Sequence, residues 1–133
     1  MKRNLALGLL ILRLSVGILM LLHGLAKFGG ALTFIESMLI EKGLPGFLAY
    51  GVLVGEIIAP VAIIVGFRTR IAAFIFVINC LVAMLLVHSN DIFSMSEHGG
   101  WALELLGIYM FGALALVFTG GGTYAVSKTN SWD

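Results

Sequence analysis

Charge is scarce in this chain. Of its 133 residues, 11% are Asp, Glu, Lys or Arg and 60% are hydrophobic, whereas water-soluble domains carry about 25% charged residues. With a mean hydropathy of +1.08, a soluble globular domain is excluded. Cysteine is scarcer still: Cys80 stands alone, which rules out an intrachain disulfide, a CxxC redox pair, a CxxCH haem attachment and a thiolate zinc site. Any redox chemistry needs a cofactor or partner from elsewhere. The eight Lys and Arg are scattered and the net charge is +1, so no basic patch tracks a phosphate backbone and nucleic acid is excluded as a partner. Strand alternation is absent, which argues against an outer-membrane barrel.

What is present is a series of long apolar runs. At about 20 residues per membrane-spanning helix, the composition supplies roughly four spans with short loops, so residues 1–133 read as a single membrane domain. The runs lie at 5–22, 47–67, 71–87 and 101–118, with glycine and proline at most of the breaks. The first run is longer than a signal-peptide core, carries Arg13, and is followed by His23 and Gly24 without a small-x-small cleavage site, so it reads as a retained span. Between the first two runs, Phe34, Ile35, Met38 and Leu39 recur near a helical period among Thr33, Glu36, Ser37 and Glu41. That pattern predicts a short amphipathic helix at the membrane surface. The expected class is all-α: an integral membrane, antiparallel four-helix bundle with one interfacial helix.

Loops rich in Lys and Arg stay cytoplasmic. Lys2, Arg3, Arg68, Arg70 and Lys128 fall on one side, Lys27 and Lys42 on the other. Five against two places both termini in the cytoplasm, and His23, His88, His98 and Trp101 on the outer side.

Ionisable residues inside spans are costly and normally face the interior of a bundle. Arg13 lies nine residues into the first run and Glu56 ten into the second, so two antiparallel neighbours bring them to similar depth and predict a pair. That pair could be merely a lock that fixes helix packing. Glu104, four residues into the fourth run, is an additional acid without a matching cation, which favours a polar pocket open to the outer side and lined by Arg13, His23, Glu56 and Glu104. Asn79, midway along the third run, can hydrogen-bond across helices. Gly51, Gly55 and Ala59 form a GxxxG-type face beside Glu56, suited to close helix approach. The histidines invite a metal or haem, but His23, His88 and His98 lack a ligand spacing, and a haem between His23 and His88 would sit near the surface, so both are disfavoured. Gly120 to Gly122 lack the Lys-Ser/Thr of a phosphate loop and read as a helix stop. The candidate ligand or proton-site residues are Arg13, His23, Lys27, Glu56 and Glu104, followed by His88, Trp101 and Asn79.

Leu12, Arg13 and Gly17 followed by His23, Gly24 and Lys27 resemble the L-R-x-x-x-G and H-G-x-x-K signature of the DoxX family of small four-span membrane proteins. Glu56 and the turn Gly66-Phe67-Arg68-Thr69-Arg70 resemble its second-span acid and G-x-x-T-R turn. Glu104 and the tail Gly120 to Tyr124 are similar to its fourth-span acid and terminal G-P-G-x-x-S element, with Gly121 where proline is common. The resemblance implies kinship with the small subunit of thiosulfate:quinone oxidoreductases and with proteins of oxidative and thiol stress. It points to an inner-membrane subunit of a quinone-linked oxidoreductase system, not catalytic by itself, with a quinone head group or a small acidic substrate as ligand, the lipid bilayer as surroundings, and a soluble or membrane redox partner or a homo-oligomer as its assembly. The alternative from a different class is a non-catalytic scaffold that binds a partner or lipid. A small proton-coupled transporter ranks last, because such exporters carry an acid where this chain has Arg13.

Overall fold

A computed structural model describes residues 4–133; Lys2 and Arg3, which contribute to the charge count, lie outside the described residues. The long apolar stretches become helices: α1 (Leu5–Ala26), α2 (Ala31–Glu41), α3 (Gly46–Val65), α4 (Thr69–Leu86) and α5 (Glu104–Thr119), of which α3 alone carries an internal proline, Pro60. Among the described residues there is no β-strand, although an isolated bridge joins Met95 and Trp101. α1, α3 and α4 are long and apolar enough to cross a membrane, and α5, at 16 residues, is apolar but shorter.

The fourth run begins its helix three residues later than its hydropathy suggests. Trp101 is engaged elsewhere, pairing with Met95 and donating its indole N–H to the Ile92 carbonyl at 2.7 Å. Glu104 is therefore the first residue of α5 and not one turn inside it.

α1 packs against α3 and α5, and α4 packs against the same two. Small residues set the spacing between α1 and α3. A Cβ on Gly17 would meet Ile64 and the Pro60 carbonyl, and one on Gly24 would strike the Glu56 carbonyl. Val16, Met20, Ile63, Phe76, Tyr109 and Leu116 fill the common core. The outer faces are apolar too: Leu22, Phe74 and Ile108 are each more than half exposed, as suits helices whose surroundings are hydrocarbon and whose association rests on close packing.

α3 is not a uniform α-helix. It opens as a 3₁₀ turn over Gly46–Tyr50 and widens to a π-turn over Val54–Ile58, where the Ala59 N–H reaches the Val54 carbonyl. Pro60 supplies the cause: with no N–H, it cannot bond the carbonyl of Glu56 four residues back, and the bulge absorbs the mismatch. Gly24 then packs on that released carbonyl. At its far end α3 stops at Gly66, whose φ of 78° suits a residue without Cβ.

Candidate functional site

Two polar centres lie at different depths along the helices. The first surrounds Arg13, which is 1% exposed. Its guanidinium donates to the carbonyls of Ile63 (2.9 Å), Ile64 (2.8 Å) and Gly121 (2.9 Å). Two of these acceptors belong to the last turn of α3, where carbonyls run short of intrahelical donors and the helix dipole is negative. Arg13 thus caps α3 and fastens the tail to it.

The expected pair of Arg13 with Glu56 does not form. Placing both residues near the middle of their runs requires that the midpoints of the two antiparallel helices lie level, whereas Gly24 faces Glu56 and Gly17 faces Pro60 and Ile64. In that antiparallel register Arg13 lies beside Ile63, seven residues past Glu56, which is roughly 10 Å along the axis at 1.5 Å per residue.

The second centre is built on Glu56, which is 4% exposed and projects from the π-turn. Its Oε1 accepts from the Lys27 ammonium at 2.5 Å and from the Asn79 amide at 3.4 Å. Lys27 follows α1 directly, opposite the bulge, and Asn79 comes from α4. The absence of a side chain at Gly55 makes the Asn79 approach possible, since a Cβ there would overlap the Asn79 side chain. The other oxygen, Oε2, is buried and has no hydrogen-bond partner among the described residues.

Lys27, Glu56 and Asn79 line one cavity of about 430 Å³, within the range of small-molecule sites, roughly 300–1,000 Å³. Its walls are apolar: Ile35 and Leu39 from α2, Leu48 from α3, and Ile78, Val82 and Ala83 from α4. α2 therefore turns part of its apolar face to this cavity, while Phe34 and Ile40 remain about two-thirds exposed.

Of the residues singled out in the sequence, Lys27, Glu56 and Asn79 come together and Arg13 does not join them. His23 is exposed and meets the Tyr109 ring edge-on, with centroids 5.8 Å apart. Glu104 is exposed at the start of α5, against Gly100, and does not line the cavity. His88 contacts Asp91 at 3.3 Å, Trp101 anchors its own loop, and His98 is exposed. The pocket expected from Arg13, His23, Glu56 and Glu104 is thus replaced by one that keeps only Glu56 of the four. Among the described residues, no three His, Cys, Asp or Glu side chains converge as a metal site would require. The apolar wall from α2 was not singled out in the sequence, although the helical recurrence of Ile35, Met38 and Leu39 is its signal.

The sequence pattern of the DoxX family matches residues 8–89. The chain belongs to the DoxX family. The matched stretch contains Arg13, Lys27, Glu56 and Asn79, whereas Glu104 and the glycine tail lie beyond it. Among curated relatives, the chain is 31% identical over 113 residues to a Bacillus subtilis protein named "Putative oxidoreductase CatD", covering 83% of this chain and 81% of that one. It is 30% identical over 131 residues to the Escherichia coli "Inner membrane protein YqjF", covering 96% and 95%. An uncharacterised Haemophilus influenzae protein is 35% identical over 123 residues, covering 88% and 86%. No solved structure matches the chain significantly. It is a DoxX-family membrane protein.

Proposed function

We propose that this protein spans the inner membrane four times as an antiparallel helical bundle, with both termini cytoplasmic, and binds the head group of a quinone-type molecule beside Glu56 as a membrane component of a quinone-linked oxidoreductase system. The observation that carries the reading is a buried acid with one oxygen paired and the other free, at the head of an apolar cavity of about 430 Å³. A buried acceptor without a partner costs about 1–3 kcal/mol, and a polar ligand head removes that cost. The apolar walls suit a ring and the first part of an isoprenoid chain. The remaining N–H groups of Lys27 and the amide of Asn79 supply donors for a ring oxygen. The oxidoreductase name of the Bacillus subtilis relative agrees with this reading. Arg13 has no part in it, because its donors are committed to backbone carbonyls.

The test is titration of the protein in lipid nanodiscs with decylubiquinone and decylubiquinol, corrected for partition into empty discs. Saturable binding of either form is expected, and Ala83→Phe, which fills the cavity from its α4 wall, abolishes it while helicity is retained. If neither form binds, or if Ala83→Phe binds as wild type does, the reading fails.

A further inference from the structure

The polar head of this cavity selects among ligands more narrowly than its size does. Glu56 Oε1 already accepts from both Lys27 and Asn79, while Oε2 is buried and accepts from nothing. A carboxylate oxygen only accepts, so whatever fills this position must bring an O–H or N–H. Charge narrows the choice further. Lys27 and Glu56 neutralise each other, Asn79 is neutral, and the remaining walls named above are apolar. A ligand carrying net charge of either sign would enter without a counter-charge, which low-dielectric surroundings penalise heavily. Lys27 retains N–H groups beyond the one given to Glu56, and these ask for an acceptor on the same ligand. A neutral hydroxyl group meets both demands, donating to Oε2 and accepting from Lys27 Nζ. A carbonyl meets only the second.

We infer that the cavity binds the hydroxyl-bearing, reduced form of its quinone-type ligand in preference to the oxidised form, and rejects anions. This rests on the proposed function and adds to it a direction: the site is a receptor for quinol. Asn79 and Gly55 are part of the selectivity, because the amide seated against the glycine occupies Oε1 and leaves Oε2 as the unpaired oxygen that the hydroxyl of a ligand must reach.

The test uses the wild-type protein in phosphatidylcholine nanodiscs under anaerobic conditions, titrated calorimetrically with decylubiquinol, decylubiquinone and the dimethyl ether of decylubiquinol. The ether keeps the ring and its oxygens and loses the donors. Quinol is expected to bind roughly ten- to a hundred-fold more tightly than the other two, the factor a hydrogen bond to a charged group supplies. Glu56→Gln, which can turn its amide N–H₂ to the Oε2 position, is expected to abolish or invert that ratio. Equal affinity for all three ligands overturns the inference and leaves the proposed function standing, as does a Glu56→Gln variant that still prefers quinol. Absence of binding by all three overturns the proposed function itself, and the inference with it. Because the comparison among ligands is made on wild type, it holds even if the variant does not fold.

Discussion

Replacing Arg13 with Met separates the observed arrangement from the pairing that the charges alone suggest. Met fills a similar path along α1 but donates nothing. Ile63 O keeps a second donor, the Gly66 N–H at 3.1 Å, whereas Ile64 O and Gly121 O lose the Arg13 donor. At about 1–3 kcal/mol for each buried acceptor left without a partner, the expected loss is about 2–6 kcal/mol. Removal of a buried charge returns part of its desolvation cost, which places the value toward the lower half of that range. Arg13→Lys is expected to lose less, since an ammonium can reach one carbonyl but cannot fork across three. Stability is read by reversible unfolding in mixed detergent micelles. The decisive measurement is a double-mutant cycle with Glu56→Gln: residues without shared partners add to within about 0.5 kcal/mol, so additivity is expected. A coupling above about 1 kcal/mol, or an Arg13→Met protein as stable as wild type, would refute the assignment of Arg13 to the end of α3.

Three further outcomes follow from other positions. Gly55→Ala places a methyl group on Asn79 and is expected to cost about 1–3 kcal/mol by overpacking and to weaken quinol binding through displacement of the Asn79 amide; unchanged stability and affinity would show that the close approach does not matter. Reporter fusions at the C-terminus and within residues 91–100 are expected to report opposite sides of the membrane, cytoplasmic for the C-terminus, and a shared side contradicts the four-span reading. The tail should loosen in acid: hydrogen bonds from the Ser127 hydroxyl and from the backbone near Asn130, with Arg68 nearby, hold the Asp133 carboxyl below the usual aspartate range. Its contribution is complete above the ordinary value of about 3.9 and is lost as the pH falls through the lower folded value, so hydrogen exchange of the tail amides, corrected for its intrinsic pH dependence, should lose protection there in wild type and already lack it at neutral pH in Asp133→Asn.

The helices were legible because run length and apolarity are local properties, and α1, α3 and α4 begin within two residues of their predicted starts. Which polar groups meet was less legible. Arg13 looks as if it should seek a carboxylate, but its acceptors are backbone carbonyls, which every residue carries and which leave no mark in a sequence. Register was the other missing quantity, since α1 runs past the end of α3 and no count within a single helix shows that. One clue was available: Pro60 stands four residues after Glu56, so the Glu56 carbonyl had to lose its helical donor, and the chain around it had to depart from regular α geometry. Glu104 starts its helix and does not lie within it because Trp101, whose apolar ring looks like helix in the sequence, gives its indole N–H to the preceding loop.

The reach of Arg13 also has a consequence for the order in which the molecule can be completed. Its acceptors lie 50, 51 and 108 residues later in the chain. At a synthesis rate of about 5–20 residues per second, roughly 3–10 s separate the emergence of the guanidinium from that of its first two carbonyls, and about 5–20 s from the third. During that interval the first helix carries an uncompensated cation that hydrocarbon tolerates poorly. It must therefore wait at a hydrated site, in the insertion machinery or at the lipid surface, until α3 arrives to accept its hydrogen bonds. Only when the ribosome has released Gly121 is the first helix finished.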